Sequence, residues 1–300
     1  MYQDFNPTGF DAQEWARLFK RVGFQFAVLT TKHHGGFCMF DTKTKTTVLR
    51  RFESNGKIHF QTDWSAYSIM ETPFARDVVK EYSTALREQG LAVGLYFSHP
   101  DWMDYHSRFI EYHPWRDPDY TRHSDPQGWA RGLKRHRQQV RELCSNYGKV
   151  DILSFDHGLP LEAWPELKGT LKMIRRLQPD VMLRLRGIGA WGDFFTPEGW
   201  APDDLYDERI YQKQPWSVIG RYRTRDSVKH LLPSLISIVS AGGNMQINFN
   251  PDGKGRFSLP ASRKLEQIGD WLRVNGEAIY AGQSHETALS IMNKKAKMLR

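Results

Sequence analysis

Cysteine is scarce in this sequence, and long apolar runs are missing. The 300 residues contain two cysteines, Cys38 and Cys144, whose number and spacing fit neither a zinc site nor a disulfide framework. No run approaches the length of about 18 apolar residues that a membrane-spanning helix needs. The opening MYQDFNPTGFDAQEW lacks the basic start and apolar stretch of a signal peptide. We therefore expect a cytoplasmic protein of a reducing compartment, with no membrane partner.

Nucleic-acid and nucleotide motifs are also missing, although the net charge is +8. Basic residues are dispersed, with short clusters only in RGLKRHRQQVR (131–141) and in the tail 284–300. The first cluster is typical of a helix with a solvated polar face, and neither cluster is a nucleic-acid-binding motif. No phosphate loop or dinucleotide fingerprint occurs. We expect no nucleic-acid partner and no cofactor.

Helical and strand patterns alternate along the chain. Apolar periodicity predicts helices over 11–23, 73–90, 128–148, 165–179, 226–243 and 259–276, and strands over 24–31, 91–98, 150–156, 181–186 and 244–251. A sixth strand is indicated near 207–212. Helices that feed near-continuous apolar strands predict an α/β fold with a parallel sheet. Because polar residues gather where the strands end, the pattern favours a (β/α)8 TIM barrel. We expect a single domain over 1–300, in which 284–300 form a basic tail. A barrel needs eight strands, so the predicted barrel is incomplete.

Two acidic residues lie where a barrel carries its chemistry. Asp156 ends an apolar strand, where a carboxylate is costly unless it is paired, functional or capping the next loop. Glu198 follows the next strand in GDFFTPEGW, and Arg186 lies between the two. Two carboxylates from neighbouring loops are the constellation used for glycoside cleavage.

Two adjacent histidines, His33 and His34, follow the first predicted strand. A shared metal ion is one interpretation of such a pair. Adjacent residues on a strand point to opposite faces, however, and no cysteine or acidic residue has metal-ligand spacing. The sequence therefore predicts no metal site.

Five motifs resemble, in order, those of the α-L-fucosidases of glycoside hydrolase family 29. They are TTKHHGGF (30–37), GLYFSHPDW (94–102), VDILSFDHG (150–158), LRGIGAWGDFFTPE (185–198) and SAGGNMQINFNPDGKG (240–255). The resemblance covers about residues 5–283. It implies a TIM barrel that hydrolyses terminal α-L-fucosyl residues of a fucosylated glycan or aryl fucoside, with retention through a covalent fucosyl-enzyme.

The resemblance also implies a role for each matching residue. Asp156 would be the nucleophile and Glu198 the general acid and then the base. Arg186 would hydrogen-bond the sugar and help to keep Asp156 ionised. The residues expected to contact fucose hydroxyls are His33, His34 and Tyr96, and an aromatic wall for the fucose methyl is expected from Phe194 or Trp200.

The chain departs from the family pattern at two positions, and it has no counterpart of several family segments. Ser154 stands where the family usually has tryptophan, and His157 where it commonly has glycine. The family's first strand, which ends in His-Trp-Gly, a following Glu-Trp segment and the C-terminal β-sandwich have no counterpart. We therefore expect a barrel without its first strand and without a sandwich, with reduced activity. The gap would be covered by residues 46–70, by the tail after Tyr280 or by another subunit of a homo-oligomer.

Two other functions remain open from the sequence. One is a non-catalytic carbohydrate-binding or scaffold protein derived from a fucosidase. The other is a glycosidase with a different sugar specificity.

Overall fold

The computed structural model describes residues 2–110, 113–197, 215–223 and 226–281. Helices and strands alternate as predicted, with bounds that differ by a few residues. The helices are α1 Ala12–Val22, α2 Val78–Glu88, α3 Pro126–Asn146, α4 Trp164–Leu177, α5 Val228–Ser240 and α6 Leu259–Tyr280. The strands are β1 Phe26–Lys32, β2 Thr46–Ser54, β3 Lys57–Ser65, β4 Ala92–Ser98, β5 Ile152–Asp156, β6 Met182–Leu183, β7 Ser217–Arg223 and β8 Asn244–Asn248.

The helices begin at capping residues that the sequence supplies. The side chain of Asp11 accepts a hydrogen bond from the backbone N–H of Glu14 at the start of α1, and Asp77 does the same for Lys80 at the start of α2. Each helix then buries one apolar face, which in α1 includes Trp15 and Phe19.

Parallel strands form the centre of the fold. One sheet has the order β1-β4-β5-β6, and a second joins β7 to β8, with all four of these pairings parallel. Two parallel bridges, Arg184 to Phe194 and Phe195 to Trp216, connect the sheets. The prediction of a parallel sheet covered by helices is thus confirmed. Within the described ranges no pairing joins β8 to β1, so these strands do not close a barrel.

The predicted strand over 181–186 is only partly correct, because β6 ends at Leu183. The chain turns back just beyond it, and the carboxylate of Asp193 accepts a hydrogen bond of 2.7 Å from the backbone N–H of Leu183. Gly187 lies in this turn with φ of 76°, and a Cβ there would lie 1.8 Å from the carbonyl oxygen of His157. Glycine is required because the backbones after β5 and β6 approach so closely.

Two strand predictions have other outcomes. The strand indicated near 207–212 lies outside the described residues. The strand β7 was not predicted from the sequence. Residues 46–65 form the antiparallel hairpin of β2 and β3, which turns at Asn55 and Gly56 and bridges Val48 to Asp104. None of the described side chains of the hairpin lines the cavity between β1 and β8, and cover of the gap by residues 46–70 stays a prediction.

A buried ion cluster supports the loop that follows β1. Lys32 is 1% exposed, and its Nζ lies 3.6 Å from Oδ2 of Asp101 and 4.3 Å from the ring centroid of Phe97. Arg135 contacts the same Oδ2 and lies 3.8 Å from the carboxylate of Asp104. One carboxylate therefore compensates two buried cations, with a second acid nearby.

Asp101 also organises its own loop and lies close to the backbone of Gly36. Its Oδ1 accepts hydrogen bonds from the backbone N–H groups of Met103 and Asp104, at 3.2 and 3.1 Å. A Cβ on Gly36, which has φ of 80°, would lie 2.0 Å from that oxygen. Burial alone would raise the pKa of Asp101, but Arg135 and Lys32 outweigh it and lower the pKa to about 2.

No described helix could cross a membrane, judged by its length and apolar character. Cys38 and Cys144 are both buried and free, and the expected reducing compartment stays a prediction.

Asp101→Asn is predicted to destabilise the fold, because two buried cations lose their compensating charge. We expect the free energy of unfolding to fall by about 3–5 kcal/mol in urea titrations at neutral pH. Because the pKa of Asp101 is lowered in the folded state, its contribution is present above its unfolded pKa and is lost as the pH falls from about 4 towards 2. The unmodified chain should therefore lose more stability than the variant over that range.

The matched control is Asp180→Asn, which changes an exposed acid before β6 and should leave unfolding nearly unchanged. Equal stability of Asp101→Asn and the unmodified chain would show that the ion cluster does not support this fold.

Candidate active site

Three parallel strands bring polar side chains to one edge of the sheet. His33 follows the last residue of β1, Tyr96 and Ser98 lie at the end of β4, and Asp156 is the last residue of β5. The register pairs Ser98 directly with Asp156. Arg186 follows β6, so its side chain reaches the same edge.

Asp156 is 8% exposed and is held by three donors from three segments. Its Oδ2 accepts a hydrogen bond of 2.5 Å from the hydroxyl of Tyr96. Its Oδ1 accepts one of 2.9 Å from the backbone N–H of His157 and lies 2.9 Å from Nε of Arg186. The sequence-predicted contact between Arg186 and Asp156 is thus present in the structure.

These donors keep Asp156 ionised despite its burial. Burial raises its pKa, but the Tyr96 hydroxyl, Arg186, the His157 N–H and Arg184 together outweigh burial and hold the pKa below its ordinary value. A buried, ionised carboxylate that faces a cavity can act as a nucleophile or a base, and it is unsuited to donate a proton at neutral pH.

The two histidines lie on the same side because β1 ends at Lys32, just before them. Their ring centroids are 4.1 Å apart, and His33 stacks on Tyr96 at 5.9 Å with an interplanar angle of 13°. Burial lowers the pKa of both rings, and for His34 the neighbouring His33 adds to the effect and brings the pKa to about 4. Both are neutral at neutral pH, so each can donate one hydrogen bond and accept another, as sugar hydroxyls require.

Arg184 belongs to this region, although the sequence analysis did not single it out. Arg184 is 1% exposed, and its Nε donates to the hydroxyl of Thr196. Its charge lowers the pKa of Asp156, and its side chain lines the cavity beside that residue. The spacing of two arginines in VMLRLR could have indicated a second cation, but its complete burial could not be read from the sequence.

A cavity of about 1160 Å³ opens at Asp156, and His33, Tyr96 and Arg184 also line it. It continues between β1 and β8, where apolar side chains line it, including Phe24 and Met245. A drug-sized ligand needs roughly 300–1,000 Å³, so a monosaccharide with its aglycone fits.

Two predicted site residues, Glu198 and Trp200, lie outside the described residues. Phe194, the other candidate for the methyl-binding wall, is 5% exposed and pairs with Arg184, and it does not line the cavity.

The structure also gathers possible metal ligands, which the sequence did not predict. Within the described ranges, ligand atoms of His34, Asp156 and His157 all lie within 4.8 Å of one another. His33 is not part of this group, so the two adjacent histidines do not form a ligand pair.

Tyr96→Phe is predicted to raise the pKa of Asp156, because the ionised carboxylate loses its shortest described hydrogen bond. A hydrogen bond to a charged group contributes about 1.5–3 kcal/mol, so we expect a rise of about one to two pH units. NMR titration of the Asp156 carboxyl carbon measures this directly. Tyr147→Phe is the matched control, since it removes a hydroxyl that donates to Asp77 at 2.8 Å, away from the site. An unchanged pKa in Tyr96→Phe would contradict the assigned role of this hydrogen bond.

Comparison with known proteins assigns the chain to a family. The family model described as α-L-fucosidase matches residues 1–277. Human plasma α-L-fucosidase is 28% identical over 299 residues, which cover 93% of this chain and 58% of that protein. The chain therefore spans a little over half the length of this curated relative.

Solved structures agree with this assignment. α-L-Fucosidase isoenzyme 1 from Paenibacillus thiaminolyticus superposes with a TM-score of 0.76 and 31% identity, over 93% of this chain and 67% of that one. A fucosidase from Bacteroides thetaiotaomicron, trapped as a covalent intermediate with 2-fluoro-fucosyl fluoride, superposes with a TM-score of 0.70 and 25% identity, over 93% of this chain and 64% of that one. The chain belongs to the α-L-fucosidase family, glycoside hydrolase family 29.

Proposed function

We propose that this chain is a retaining α-L-fucosidase that removes terminal α-L-fucosyl residues from fucosylated glycans and aryl fucosides. The observation that carries the proposal is the carboxylate of Asp156, which is buried, ionised and open to a cavity at the end of β5. The Bacteroides thetaiotaomicron relative, trapped as a covalent intermediate, supports a double displacement. No cofactor is required by this chemistry.

In the first step, an oxygen of Asp156 attacks the anomeric carbon of fucose. The bond between that carbon and the leaving oxygen breaks as Glu198 donates its proton to the leaving oxygen. The product is a fucosyl ester of Asp156. The hydroxyl of Tyr96 and the guanidinium of Arg186 stabilise the carboxylate before attack, so the nucleophile needs no deprotonation.

In the second step, Glu198, now a carboxylate, takes a proton from water as the water oxygen attacks the anomeric carbon. The ester bond to Asp156 breaks, and fucose leaves with its original configuration. A retaining pair requires carboxyl groups about 5–5.5 Å apart, which is the separation we propose for Asp156 and Glu198.

Neutral imidazoles and a tyrosine bind the hydroxyl groups of the sugar in this proposal. His33 and Tyr96 line the cavity, and the ring of His34 packs against that of His33. We assign all three side chains to the fucose hydroxyls. We assign Trp200 to the fucose methyl, since Phe194 is buried away from the cavity.

The fold is proposed to be a (β/α)8-type barrel that is open between β8 and β1 in the part of the chain that the structure describes. The bridges of Phe194 and Phe195 continue the sheet from β6 to β7, which supports a barrel interrupted only at that gap. Unpaired strand edges beside apolar surface favour association. We therefore propose that a second copy of the chain covers the open side. We also propose that turnover is reduced, because no described strand of the chain itself positions the sugar on that side.

Replacement of the nucleophile tests the proposed reaction. Asp156→Ala should lower hydrolysis of 4-nitrophenyl α-L-fucoside on the order of 10⁴-fold or more. Added azide should restore release of 4-nitrophenol, because the small anion enters the space of the lost carboxylate and forms β-L-fucosyl azide. Asp180→Ala, which removes an exposed acid before β6, should leave turnover unchanged.

Full activity of Asp156→Ala would contradict the assignment of the nucleophile. Fucose binding without turnover by the unmodified chain would favour the non-catalytic carbohydrate-binding protein. Turnover of an aryl galactoside in place of the fucoside would favour a different sugar specificity.

Light scattering during size-exclusion chromatography tests self-association. The unmodified chain should elute with at least twice its mass of 35.0 kDa. Met245→Lys places a charge in the apolar part of the cavity and should shift the protein to a monomer. Met182→Lys changes a methionine on β6 that is 41% exposed, and it should leave the mass of the assembly unchanged. A monomeric unmodified chain would contradict the proposed covering by a second copy.

A further inference from the structure

Two imidazoles lie beside the carboxylate of Asp156. Nε2 of His34 lies 3.7 Å from Oδ2 of Asp156. The rings of His34 and His157 meet edge to face, with centroids 4.5 Å apart. One nitrogen from each ring and a carboxylate oxygen lie within 4.8 Å of one another.

The separation of His34 from Asp156 suits a shared ion better than a hydrogen bond. At 3.7 Å, Nε2 is too far from Oδ2 for a normal N–H···O bond. Two ligands bound at 2.0–2.1 Å to a tetrahedral zinc ion are about 3.3 Å apart. A movement of a few tenths of an ångström by His34 would bring its nitrogen to that spacing.

The carboxylate oxygen nearest to His34 has the chemistry to coordinate an ion. Ionised carboxylates have about four lone-pair sites. Oδ1 contacts Nε of Arg186 and the backbone N–H of His157, and Oδ2 accepts a hydrogen bond from the hydroxyl of Tyr96. An oxygen with two lone pairs can accept that hydrogen bond and also coordinate an ion.

A guanidinium lies close to the proposed position of the ion, since Nε of Arg186 is 2.9 Å from Oδ1 of Asp156. Arg186 opposes a cation through its charge, so the affinity should be well below that of a structural zinc site.

His157 is the distinctive member of the group. It adopts φ of 55°, a backbone region that glycine enters without strain and other residues rarely do. Strained residues of this kind concentrate at functional sites. The side chain of His157 adds a second nitrogen ligand beside Asp156, in addition to that of His34.

We propose that His34, Asp156 and His157 form a binding site for a borderline divalent ion such as Zn²⁺, and that the bound ion blocks the nucleophilic carboxylate. Oδ2 cannot coordinate the ion and attack a sugar carbon at the same time, so metal and fucoside exclude each other. The site is a regulatory one in this proposal, and the metal takes no part in hydrolysis.

Calorimetric titration of the full chain with Zn²⁺ in a chelator-free buffer tests the site. We expect one ion per chain, with a dissociation constant on the order of 10 μM, well above that of a structural zinc site. His157→Gly should weaken binding at least 10-fold, since it removes a ligand at a φ that glycine accepts. His123→Gly, which removes an exposed histidine from a loop, is the matched control and should bind as the unmodified chain does.

A second variant and a second measurement distinguish loss of the imidazole ligand from misfolding. His157→Gln keeps a side chain of similar size without an imidazole, and it should lose affinity as His157→Gly does. Co²⁺ should give the intense visible absorption of a tetrahedral nitrogen–oxygen site in the unmodified chain and His123→Gly, and not in the His157 variants.

Equal affinity in the unmodified chain and both His157 variants would overturn the proposal, as would the absence of binding below about 1 mM. Because binding is measured directly, the outcome is independent of turnover. A chain that hydrolyses fucoside without binding Zn²⁺ contradicts only this site, and one that binds Zn²⁺ through His157 without turnover contradicts only the proposed function.

Discussion

The site depends on a carboxylate that stays charged although it is buried. Asp156 would be neutral in an apolar environment, because removing its charge from water is costly. It is ionised because Tyr96 on β4, the backbone after β5 and Arg186 after β6 all direct donors at it. No single strand could supply these donors, so the parallel register that pairs Ser98 with Asp156 is a requirement of the chemistry.

A second charged cluster sets the position of the two adjacent histidines. Lys32 is the last residue of β1 and points into the cluster around Asp101, away from the cavity. The carbonyl of His34 accepts a hydrogen bond of 2.8 Å from the backbone N–H of Trp102, which is the residue after Asp101. The loop after β1 is thereby joined to the loop after β4, so that His33 lines the cavity and the ring of His34 packs against the ring of His33. Three adjacent polar residues therefore serve two separate networks.

The sequence predicted the features that depend on local pattern. Amphipathic periodicity and capping residues identified all six described helices, and apolar runs identified five of the strands within a few residues. Asp156, His33, His34, Tyr96 and Arg186 were all recognised and lie together, because each stands at a strand end in a motif of the family. Glu198 and Trp200 lie outside the described residues, so their positions stay predictions.

Features that depend on contacts distant in sequence were not predicted. The strand β7 contains glycine and arginines, and its identity depends on pairing with β8 and on the bridge to Phe195. The burial of Arg184 depends on Thr196 and on the packing of neighbouring strands, and the compensation of Lys32 depends on Asp101 and Arg135. The hairpin over 46–65 was expected as a possible cover for the gap, yet its pairing directs it to the loop after β4.

The central claim is that Asp156 forms a covalent bond to fucose. Incubation with 2-fluoro-fucosyl fluoride, followed by peptide mass spectrometry, tests this most directly, since the fluorine slows breakdown of the ester. The account predicts one fluorofucosyl group per chain, on the peptide that contains Asp156. A label on another carboxylate, or turnover of aryl fucoside with no label on any peptide, would contradict it.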